Sequence, residues 1–312
     1  MRDRIQIFSG NGNPELVREI CAYIGLPLGR VEIRRFSNEN LFIQIQENVR
    51  ETDVFVVQPF STPVHENIME LLIMMDALRS ASASRITAVI PYYSYARSDK
   101  KDAPRISITG RLMADLLVTA GADRVLTMNL HKPQVHGFFS MPTDHLYAAP
   151  VLLDYFKDND LSDTVVVATD AGHVKEAANY AERLRLPLAF VDKRRISDNE
   201  VETTAVVGEV KGKHAIVFDD EIAAGTSLVA TAVILREKGV RSIRACAVHG
   251  VLCDEAVARI EASPVAEVVV TNTVPVPPEK RIGKIRVLSV APLFGEAIKR
   301  IHSGDSISSL FV

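Results

Sequence analysis

Short apolar segments alternate with longer amphipathic segments along the whole chain. The apolar segments predict β-strands, and apolar residues at helical spacing predict helices between them. The predicted strands are Arg4–Phe8, Val54–Gln58, Ile86–Ile90, Val125–Leu130, Val165–Thr169, Leu188–Val191, Ala215–Phe218, Ile243–Val248 and Val268–Val270. The predicted helices are Glu15–Ile24, Glu66–Leu78, Ile108–Thr119, Val174–Leu184 and Ser227–Lys238. This alternation indicates an α/β fold with mainly parallel sheets flanked by helices, in which ligands bind beyond the carboxyl ends of the strands.

One predicted strand ends in acids and continues through small residues into a helix, in the segment IVFDDEIAAGTSLVATA. Asp219 and Asp220 follow the apolar residues, and Gly225, Thr226 and Ser227 have the turn and N-cap chemistry that starts a helix. Free backbone N–H groups at a helix N-terminus suit a phosphate group. The two carboxylates would repel a bare phosphate, so they favour sugar hydroxyls or a metal ion. The segment therefore predicts a sugar-phosphate site, with an ordinary capped helix after a solvated strand end as the alternative.

Charged residues also follow other predicted strands. The loop after Ile86–Ile90 carries Arg97, Asp99 and two lysines, which suits a polyphosphate, although a solvated surface loop fits the composition too. His131 ends the next strand, either as a metal ligand or as a structural histidine. Asp170 begins a second acid–turn–helix segment, which could hold another phosphate or be a common strand–helix turn.

A basic cluster of Lys193, Arg194 and Arg195 follows a further predicted strand. The cluster would stabilise the negative charge that develops in phosphoryl transfer. Alternatively, the cluster is a solvated basic turn. Two glycine-containing segments fail as nucleotide motifs: GEVKGKH lacks the spacing of a P-loop, and GNGNPE lacks the third glycine of a dinucleotide fingerprint. The predicted anion sites and cationic loops share the carboxyl edge of parallel strands, which strengthens the prediction of a phosphate-handling site.

The composition narrows the class of protein. A chain of 312 residues, 47% hydrophobic and 24% charged, is long enough for two domains with packed cores. A net charge of −3 argues against nucleic acid or an anionic membrane as a partner, and no apolar run is long enough to span a bilayer. Three scattered cysteines are typical of reduced thiols, so we expect a cytoplasmic protein. A weak helix–glycine–strand repeat around Gly121 and Gly239 fits either a duplicated domain with its seam near 145–150 or chance similarity.

Several segments resemble the ribose-phosphate diphosphokinase family, the phosphoribosyl-pyrophosphate synthetases. They include RFSNEN, IMELLIMMDALRSASASRITAVIPYYSYARSDKK, NLHKPQVHGFF, VDKRR and LSVAPLFGEAIKRIH, and the resemblance covers nearly the whole chain. It implies two tandem phosphoribosyltransferase-like domains. Residues 1–146 would form the ATP side, with a flag loop at 93–108, and residues 147–312 the ribose 5-phosphate side, with the last residues packing back on the first domain.

The resemblance also implies a reaction and an assembly. The β,γ-pyrophosphoryl group of magnesium-bound ATP would pass to the anomeric hydroxyl of ribose 5-phosphate, with release of AMP, in an enzyme that is usually a hexamer. The residues implied to bind ATP are Phe36, Asn38, Arg97 and Asp99. Adenine would stack on Phe36, while Ser306 and Ser308 would belong to a regulatory phosphate site.

The other implied roles concern the metal, the transition state and the sugar. His131 and Asp170 would hold magnesium ions or their waters, and Lys193 and Arg195 would stabilise the transition state. Asp219 and Asp220 would bind the ribose hydroxyls. The 5-phosphate would be held by Gly225, Thr226 and Ser227.

The chain departs from the family pattern in all three substrate regions. Ala223 and Ala224 stand where the family usually has Asp and Thr, and Thr226 stands where a glycine of positive φ is usual. Asn40 replaces a Glu near the adenine, and His173 replaces a small residue. An inactive or weak regulatory relative is therefore an alternative to the active enzyme. A phosphoribosyltransferase, which shares the acid–turn–helix segment, is a third reading that the double domain and the flag loop disfavour.

Overall fold

A computed structural model describes residues 4–157, 159–194 and 203–310 of the chain. In these ranges the β-strands are β1 (Ile5–Ser9), β2 (Val31–Arg35), β3 (Leu41–Ile45), β4 (Asp53–Val57), β5 (Arg85–Ile90), β6 (Arg124–Met128), β7 (Thr143–Leu146), β8 (Thr164–Ala168), β9 (Leu188–Arg194), β10 (Thr203–Val207), β11 (His214–Ile222), β12 (Ser242–Gly250), β13 (Val265–Thr271) and β14 (Ile285–Leu288). The α-helices are α1 (Pro14–Ile24), α2 (Val64–Ser80), α3 (Thr109–Ala120), α4 (Ala149–Lys157), α5 (Val174–Leu184), α6 (Thr226–Glu237), α7 (Ala256–Ala262) and α8 (Ala291–Ser303). None of the helices in the described ranges combines the length and the apolar composition that a membrane span requires.

The chain divides into two compact units, each with its own main sheet and buried core. The first unit contains Met1–Tyr147, Thr273–Pro275 and Ser289–Val312. The second contains Ala148–Asn272 and Val276–Leu288. The three cysteines form no disulfide.

Five parallel strands in the order β1–β4–β5–β6–β7 form the sheet of the first unit. Every residue of β4 is buried, which explains why its sequence after Asp53 is a continuous apolar run. Strands β2 and β3 form a separate antiparallel hairpin. Helix α8 packs against α1 so closely that a Cβ on Gly295 would lie 2.4 Å from the ring of Tyr23.

A buried ion pair fixes α8 to this sheet. Asp53 is fully buried, and the guanidinium of Arg85 donates two hydrogen bonds to its carboxylate. On α8, the Nδ1 atom of His302 lies 2.8 Å from the same carboxylate, and the Ile301 carbonyl accepts a hydrogen bond from Arg85 at 3.0 Å. Because a buried carboxylate is costly without partners, these contacts favour the return of the C-terminal segment to the first unit.

The sheet of the second unit has seven strands in the order β10–β9–β8–β11–β12–β13–β14. All neighbouring pairs are parallel except β9 and β10, which are antiparallel. Helix α5 packs against β8 and β9, and α6 packs against β12. Both units therefore have a mainly parallel sheet flanked by helices, and the predicted fold class is confirmed.

Some elements were not predicted from the apolar pattern. They are strands β2, β3, β7, β10 and β14 and helices α4, α7 and α8. Strands β2, β3, β7 and β14 are short and contain no run of buried residues, so their sequences lack the apolar signal of a central strand. The predicted end of β11 at Phe218 is wrong. Parallel pairing with β12 continues to Ile222, so Asp219 and Asp220 belong to the strand.

The helix–glycine–strand repeat occupies comparable places in the two sheets. Helix α3 joins the neighbouring parallel strands β5 and β6, and α6 joins the neighbouring parallel strands β11 and β12. Gly121 and Gly239, which follow these helices, have φ angles of 101° and 84°. This left-handed conformation explains the glycine at both positions.

Buried side chains of the first unit hold the loop GNGNPE. The carboxylate of Glu70 accepts hydrogen bonds from the backbone N–H and the side-chain amide of Asn11, and from Nε2 of Gln58. The Oε1 atom of Gln58 accepts a hydrogen bond from the N–H of Gly12 at 2.8 Å. Burial raises the pKa of Glu70, although its hydrogen-bond donors oppose the shift. Two backbone N–H groups of the loop are thus bonded to side chains of the protein itself, which explains why the segment need not be a nucleotide motif.

Replacement of Glu70 by alanine should destabilise the protein. Glu70→Ala removes an acceptor from the buried Nε2 of Gln58 and from two part-buried donors of Asn11, and a buried donor left unsatisfied costs roughly 1–3 kcal/mol. We expect the free energy of unfolding, measured by urea denaturation, to fall by about 2–4 kcal/mol. Glu66→Ala, one helical turn earlier, is the control. Its partly exposed ion pair with Arg35, at 3.4 Å, is worth less than about 1 kcal/mol, and equal losses in the two variants would contradict the role given to Glu70.

Candidate active site

Three acidic residues meet at the carboxyl edge of the second sheet. Strands β8 and β11 are parallel neighbours, in which Ala168 pairs with Phe218. Asp170 follows the end of β8, while Asp219 and Asp220 lie in the last part of β11. The pairing of these two strands therefore concentrates three carboxylates at one place.

Hydrogen bonds orient the Asp219 carboxylate. The hydroxyl of Thr169 donates to Oδ2 of Asp219 at 3.1 Å, and the backbone N–H of Asp220 donates to Oδ1 at 2.9 Å. Burial raises the pKa of Asp219, and the adjacent Asp220 raises it further, while His173 and Thr169 act in the opposite direction. A crowded, partly dehydrated acid pair of this kind gains from sugar hydroxyls or a cation as partners. Thr169 was not singled out from the sequence, since its apolar neighbours marked it only as the end of a strand.

The imidazole of His173 lies among the three carboxylates. Its Nδ1 atom is 3.1 Å from Oδ1 of Asp170, and its Nε2 atom is 3.3 Å from Oδ1 of Asp220 and 3.9 Å from Oδ1 of Asp219. The hydrogen bond with Asp220 and the neighbouring acidic charges raise the pKa of His173 to about 9, although burial opposes the shift. His173 is therefore a cation at neutral pH and offsets part of the negative charge of the acids. The sequence marked this residue only as a departure from a family pattern.

The turn before α6 enters the helix through a left-handed glycine. Gly225 is buried, adopts a φ of 73° and directly precedes the helix. Thr226 and Ser227 are exposed in the first turn, where backbone N–H groups have no partner within the helix. The positive φ falls on Gly225, so the expected difficulty with Thr226 does not arise.

Neighbouring segments hold the residues between the acids and this turn. The guanidinium of Arg259, on α7, donates to the carbonyl of Ala224 at 2.9 Å. The N–H of Cys253 donates to the carbonyl of Ala223 at 3.1 Å. These contacts fix the backbone at Ala223 and Ala224, two of the positions that depart from the pattern the sequence resembles. Arg259 was not predicted, because nothing in the sequence shows which loop an arginine 35 residues further on will reach.

The exposed turn between β2 and β3 carries Phe36 and Asn38. The N–H of Phe36 donates to the carbonyl of Asn40 at 2.9 Å, and the N–H of Asn40 donates to Oδ1 of Asn38 at 3.3 Å. The ring of Phe36 is 49% exposed and meets the edge of Phe42, with ring centroids 6.3 Å apart. An exposed aromatic face beside an amide side chain can stack on a base and read its edge.

Arg97, Asp99 and His131 belong to the carboxyl edge of the first sheet. Arg97 is exposed at the end of a 3₁₀ turn after β5, and Asp99 follows it. The side-chain amide of Gln134 donates to Asp99, which connects the segment after β5 to the segment after β6. His131 is half-buried after β6, the parallel neighbour of β5. This edge therefore combines an exposed guanidinium, a positioned carboxylate and an imidazole.

The remaining predicted residues lie elsewhere in the chain. Ser306 and Ser308 are exposed after α8, where Arg300 donates to the carbonyl of Ser306 at 3.0 Å. The N–H of Ser308 donates to the Ser306 hydroxyl at 3.2 Å. The backbone of Lys193 lies in β9, opposite Thr204. Arg195 lies outside the described residues.

Comparisons with known proteins place the chain among relatives of the same kind over its full length. Residues 5–121 match the model of the N-terminal domain of ribose phosphate pyrophosphokinase, and residues 195–312 match that of a phosphoribosyl synthetase-associated domain. The ribose-phosphate pyrophosphokinase of Deinococcus radiodurans is 53% identical over 315 residues, which cover 99% of this chain and 98% of the relative. That of Caldanaerobacter subterraneus is 51% identical over 308 residues, which cover 98% of each chain.

A solved structure also matches the chain over nearly its full length. The crystal structure of phosphoribosylpyrophosphate synthetase from Mycobacterium smegmatis is 40% identical, with a TM-score of 0.93 that covers 97% of this chain and 100% of the other. The two mainly parallel sheets define an α/β protein, and its second unit carries an acid pair beside a helix start. The chain belongs to the ribose-phosphate pyrophosphokinase family, and the family predicted from the sequence motifs is confirmed.

Loss of the Arg259 side chain should loosen the segment before α6. Arg259→Ala removes the hydrogen bond to the Ala224 carbonyl, a contact worth about 1 kcal/mol. We therefore expect amide hydrogen exchange in a peptide covering residues 222–228 to become about fivefold faster.

Glu255→Ala provides the matched control. Glu255 lies one turn earlier, and its side chain forms an ion pair with Arg259 at 3.6 Å. Its carbonyl accepts the backbone N–H of Arg259 at 2.9 Å, a contact that the substitution keeps. Loss of the ion pair should leave the exchange rate of the same peptide nearly unchanged. Identical exchange in the wild type and Arg259→Ala would show that Arg259 does not hold the segment.

Proposed function

We propose that this chain is an active ribose-phosphate pyrophosphokinase, which transfers the β,γ-pyrophosphoryl group of ATP to the anomeric hydroxyl of ribose 5-phosphate and releases AMP. The observation that carries the proposal is the acid pair Asp219–Asp220 next to the start of α6, in a chain that matches the family over its full length. The transfer depends on positioning and charge neutralisation more than on covalent catalysis. The acid pair would position the acceptor sugar, and the helix start would neutralise charge on its phosphate.

The sugar phosphate is assigned to residues 147–312. The carboxylates of Asp219 and Asp220 accept hydrogen bonds from the ribose hydroxyls, and the backbone N–H groups at the start of α6 bind the 5-phosphate. Gly225 lets the chain enter the helix at a positive φ, and the exposed hydroxyls of Thr226 and Ser227 add donors. The pentose separates the 5-phosphate from the two carboxylates. This distance reduces the repulsion between the phosphate and the acids.

The nucleotide is assigned to residues 1–146, with the flag loop at 93–108. Adenine stacks on the exposed ring of Phe36, and Asn38 hydrogen-bonds to its edge. The guanidinium of Arg97 grips phosphate oxygens, and Asp99, which accepts a hydrogen bond from Gln134, helps to position the loop.

Magnesium is the cofactor that we infer. Mg²⁺ prefers oxygen ligands and keeps several waters, so the carboxylate of Asp170 fits it directly and the imidazole of His131 fits it through a bound water. When bound to ATP, it neutralises phosphate charge and makes the β-phosphorus more electrophilic. Lys193 and Arg195 add positive charge that stabilises the transition state of the transfer.

Three further assignments rest on the resemblance to the family. They are assembly as a hexamer, a cytoplasmic location and a regulatory phosphate site at Ser306 and Ser308. The Arg300 guanidinium beside Ser306 gives the last assignment a cation that a phosphate group could pair with.

The alternative of an inactive regulatory relative is not favoured. It was motivated by Ala223 and Ala224, which remove a carboxylate and a hydroxyl from the segment before α6. Their backbone is nevertheless held in place, and Gly225 leads into α6 at a positive φ. The relatives that match the full chain are named as pyrophosphokinases, a class of transferase.

AMP release tests the proposal directly. The purified chain is incubated with ATP, magnesium and ribose 5-phosphate, and we expect AMP to form only when the sugar is present. Lys193→Ala is the control for catalysis, because it should lower kcat far more than ATP affinity. No AMP from the folded chain, or AMP that forms without the sugar, would overturn the proposal. Consumption of phosphoribosyl pyrophosphate with a nucleobase would favour a phosphoribosyltransferase instead.

Restoring the family residues should improve sugar binding. Ala223→Asp combined with Ala224→Thr adds hydrogen-bonding groups beside the bound sugar phosphate, each worth about 0.5–1.5 kcal/mol. Because the two groups together are worth about 1–3 kcal/mol, we expect the KM for ribose 5-phosphate to fall about five- to hundredfold in steady-state assays. Ala230→Asp, at an exposed position of α6, is the control for added charge. An unchanged KM in the double variant would refute the assignment of this segment to the sugar phosphate.

A further inference from the structure

His173 connects the two acidic loops of the second sheet through a single ring. Its Nδ1 atom is 3.1 Å from Asp170, which follows β8, and its Nε2 atom is 3.3 Å from Asp220, which lies in β11. The backbone N–H of His173 also donates to the Asp170 carboxylate, at 3.2 Å. The turn that starts α5 therefore anchors the ring over the acid pair.

The imidazole covers a carboxylate oxygen to which a sugar hydroxyl could donate. Both oxygens of Asp219 accept hydrogen bonds, one from Thr169 and one from the N–H of Asp220. Asp220 is only 4% exposed, and its Oδ1 atom faces His173. The imidazole forms an ion pair with this buried Oδ1 atom, so a sugar hydroxyl can reach the atom only where the ring moves aside.

We propose that His173 is a positioning residue that sets the affinity of the site for the pentose, because it holds the Asp220 carboxylate until a sugar hydroxyl replaces it. The inference rests on the proposed function and deepens it. The His173 side chain is 20% exposed, so part of the ring is not covered by other residues. Its contact with Asp170 can persist when Asp220 is released, because the two acids face different nitrogen atoms.

Long-range electrostatics predicts the opposite effect. Ribose 5-phosphate is an anion, so loss of a nearby positive charge should by itself weaken its binding. Loss of a competitor for Asp220 should instead strengthen it. The direction of the change therefore separates the proposed role from a general effect of charge.

Calorimetric titration of ribose 5-phosphate into the full chain, without ATP, provides the test. We expect His173→Ala to bind the sugar phosphate about five- to tenfold more tightly, with a matching fall in KM and little change in kcat. His173→Gln can still donate one hydrogen bond to an acid, so its affinity for ribose 5-phosphate should lie between those of the wild type and His173→Ala. Lys175→Ala removes the same charge at an exposed neighbouring position of α5, and its affinity should equal that of the wild type or be slightly weaker.

Inorganic phosphate separates the sugar hydroxyls from the phosphate group. Phosphate alone has no hydroxyl of a pentose to offer Asp220, so its affinity should not rise in His173→Ala. An equal gain for phosphate and for ribose 5-phosphate would overturn the proposal, and so would unchanged or weaker sugar binding in His173→Ala. If the wild type neither binds ribose 5-phosphate nor releases AMP, the proposed function fails and this inference fails with it. If the wild type binds ribose 5-phosphate and releases AMP, but His173→Ala does not bind the sugar phosphate more tightly, this inference alone fails.

Discussion

The parallel pairing of β8 with β11 is the constraint on which the candidate sugar site depends. It brings the acids that follow one strand against the acids that end the other, so three carboxylates share one sheet edge. Their mutual repulsion and partial burial disfavour the ionised state of Asp219. Such a concentration of charge persists only if donors and cations are built around it, and sugar hydroxyls or a cation are the ligands that it would attract.

The chain supplies these compensating groups from several elements. Thr169 and the backbone of Asp220 donate to Asp219, and the His173 imidazole contributes a positive charge. The start of α6 follows within a few residues and favours an anion. The carboxylate pair, which favours hydrogen-bond donors or a cation, therefore lies next to a helix start that favours an anion. This arrangement suits a ligand that has hydroxyls at one end and a phosphate at the other.

The alternation of elements, the central buried strands and the family were all predictable from the sequence. Strands such as β4 and β8 are buried on both faces, so their apolar runs are continuous and easy to identify. Short, partly exposed strands such as β7 and β14 lack that signal. The extension of β11 through Asp219 was missed for a different reason: the strand continues because β12 pairs with it, and local polarity gives no sign of this.

By itself, the sequence determined the α/β class, the family and the types of residue available at the strand ends, because burial and turn chemistry act over a few neighbouring residues. Only the tertiary structure decided which of these residues meet. The ring of His173 between Asp170 and Asp220, the hydrogen bond from Arg259 to Ala224, and the ion pair of Asp53 with Arg85 all join distant segments. Hydrogen bonds and ion pairs act over a few ångströms, so their partners are chosen by strand order and helix packing and not by separation along the chain.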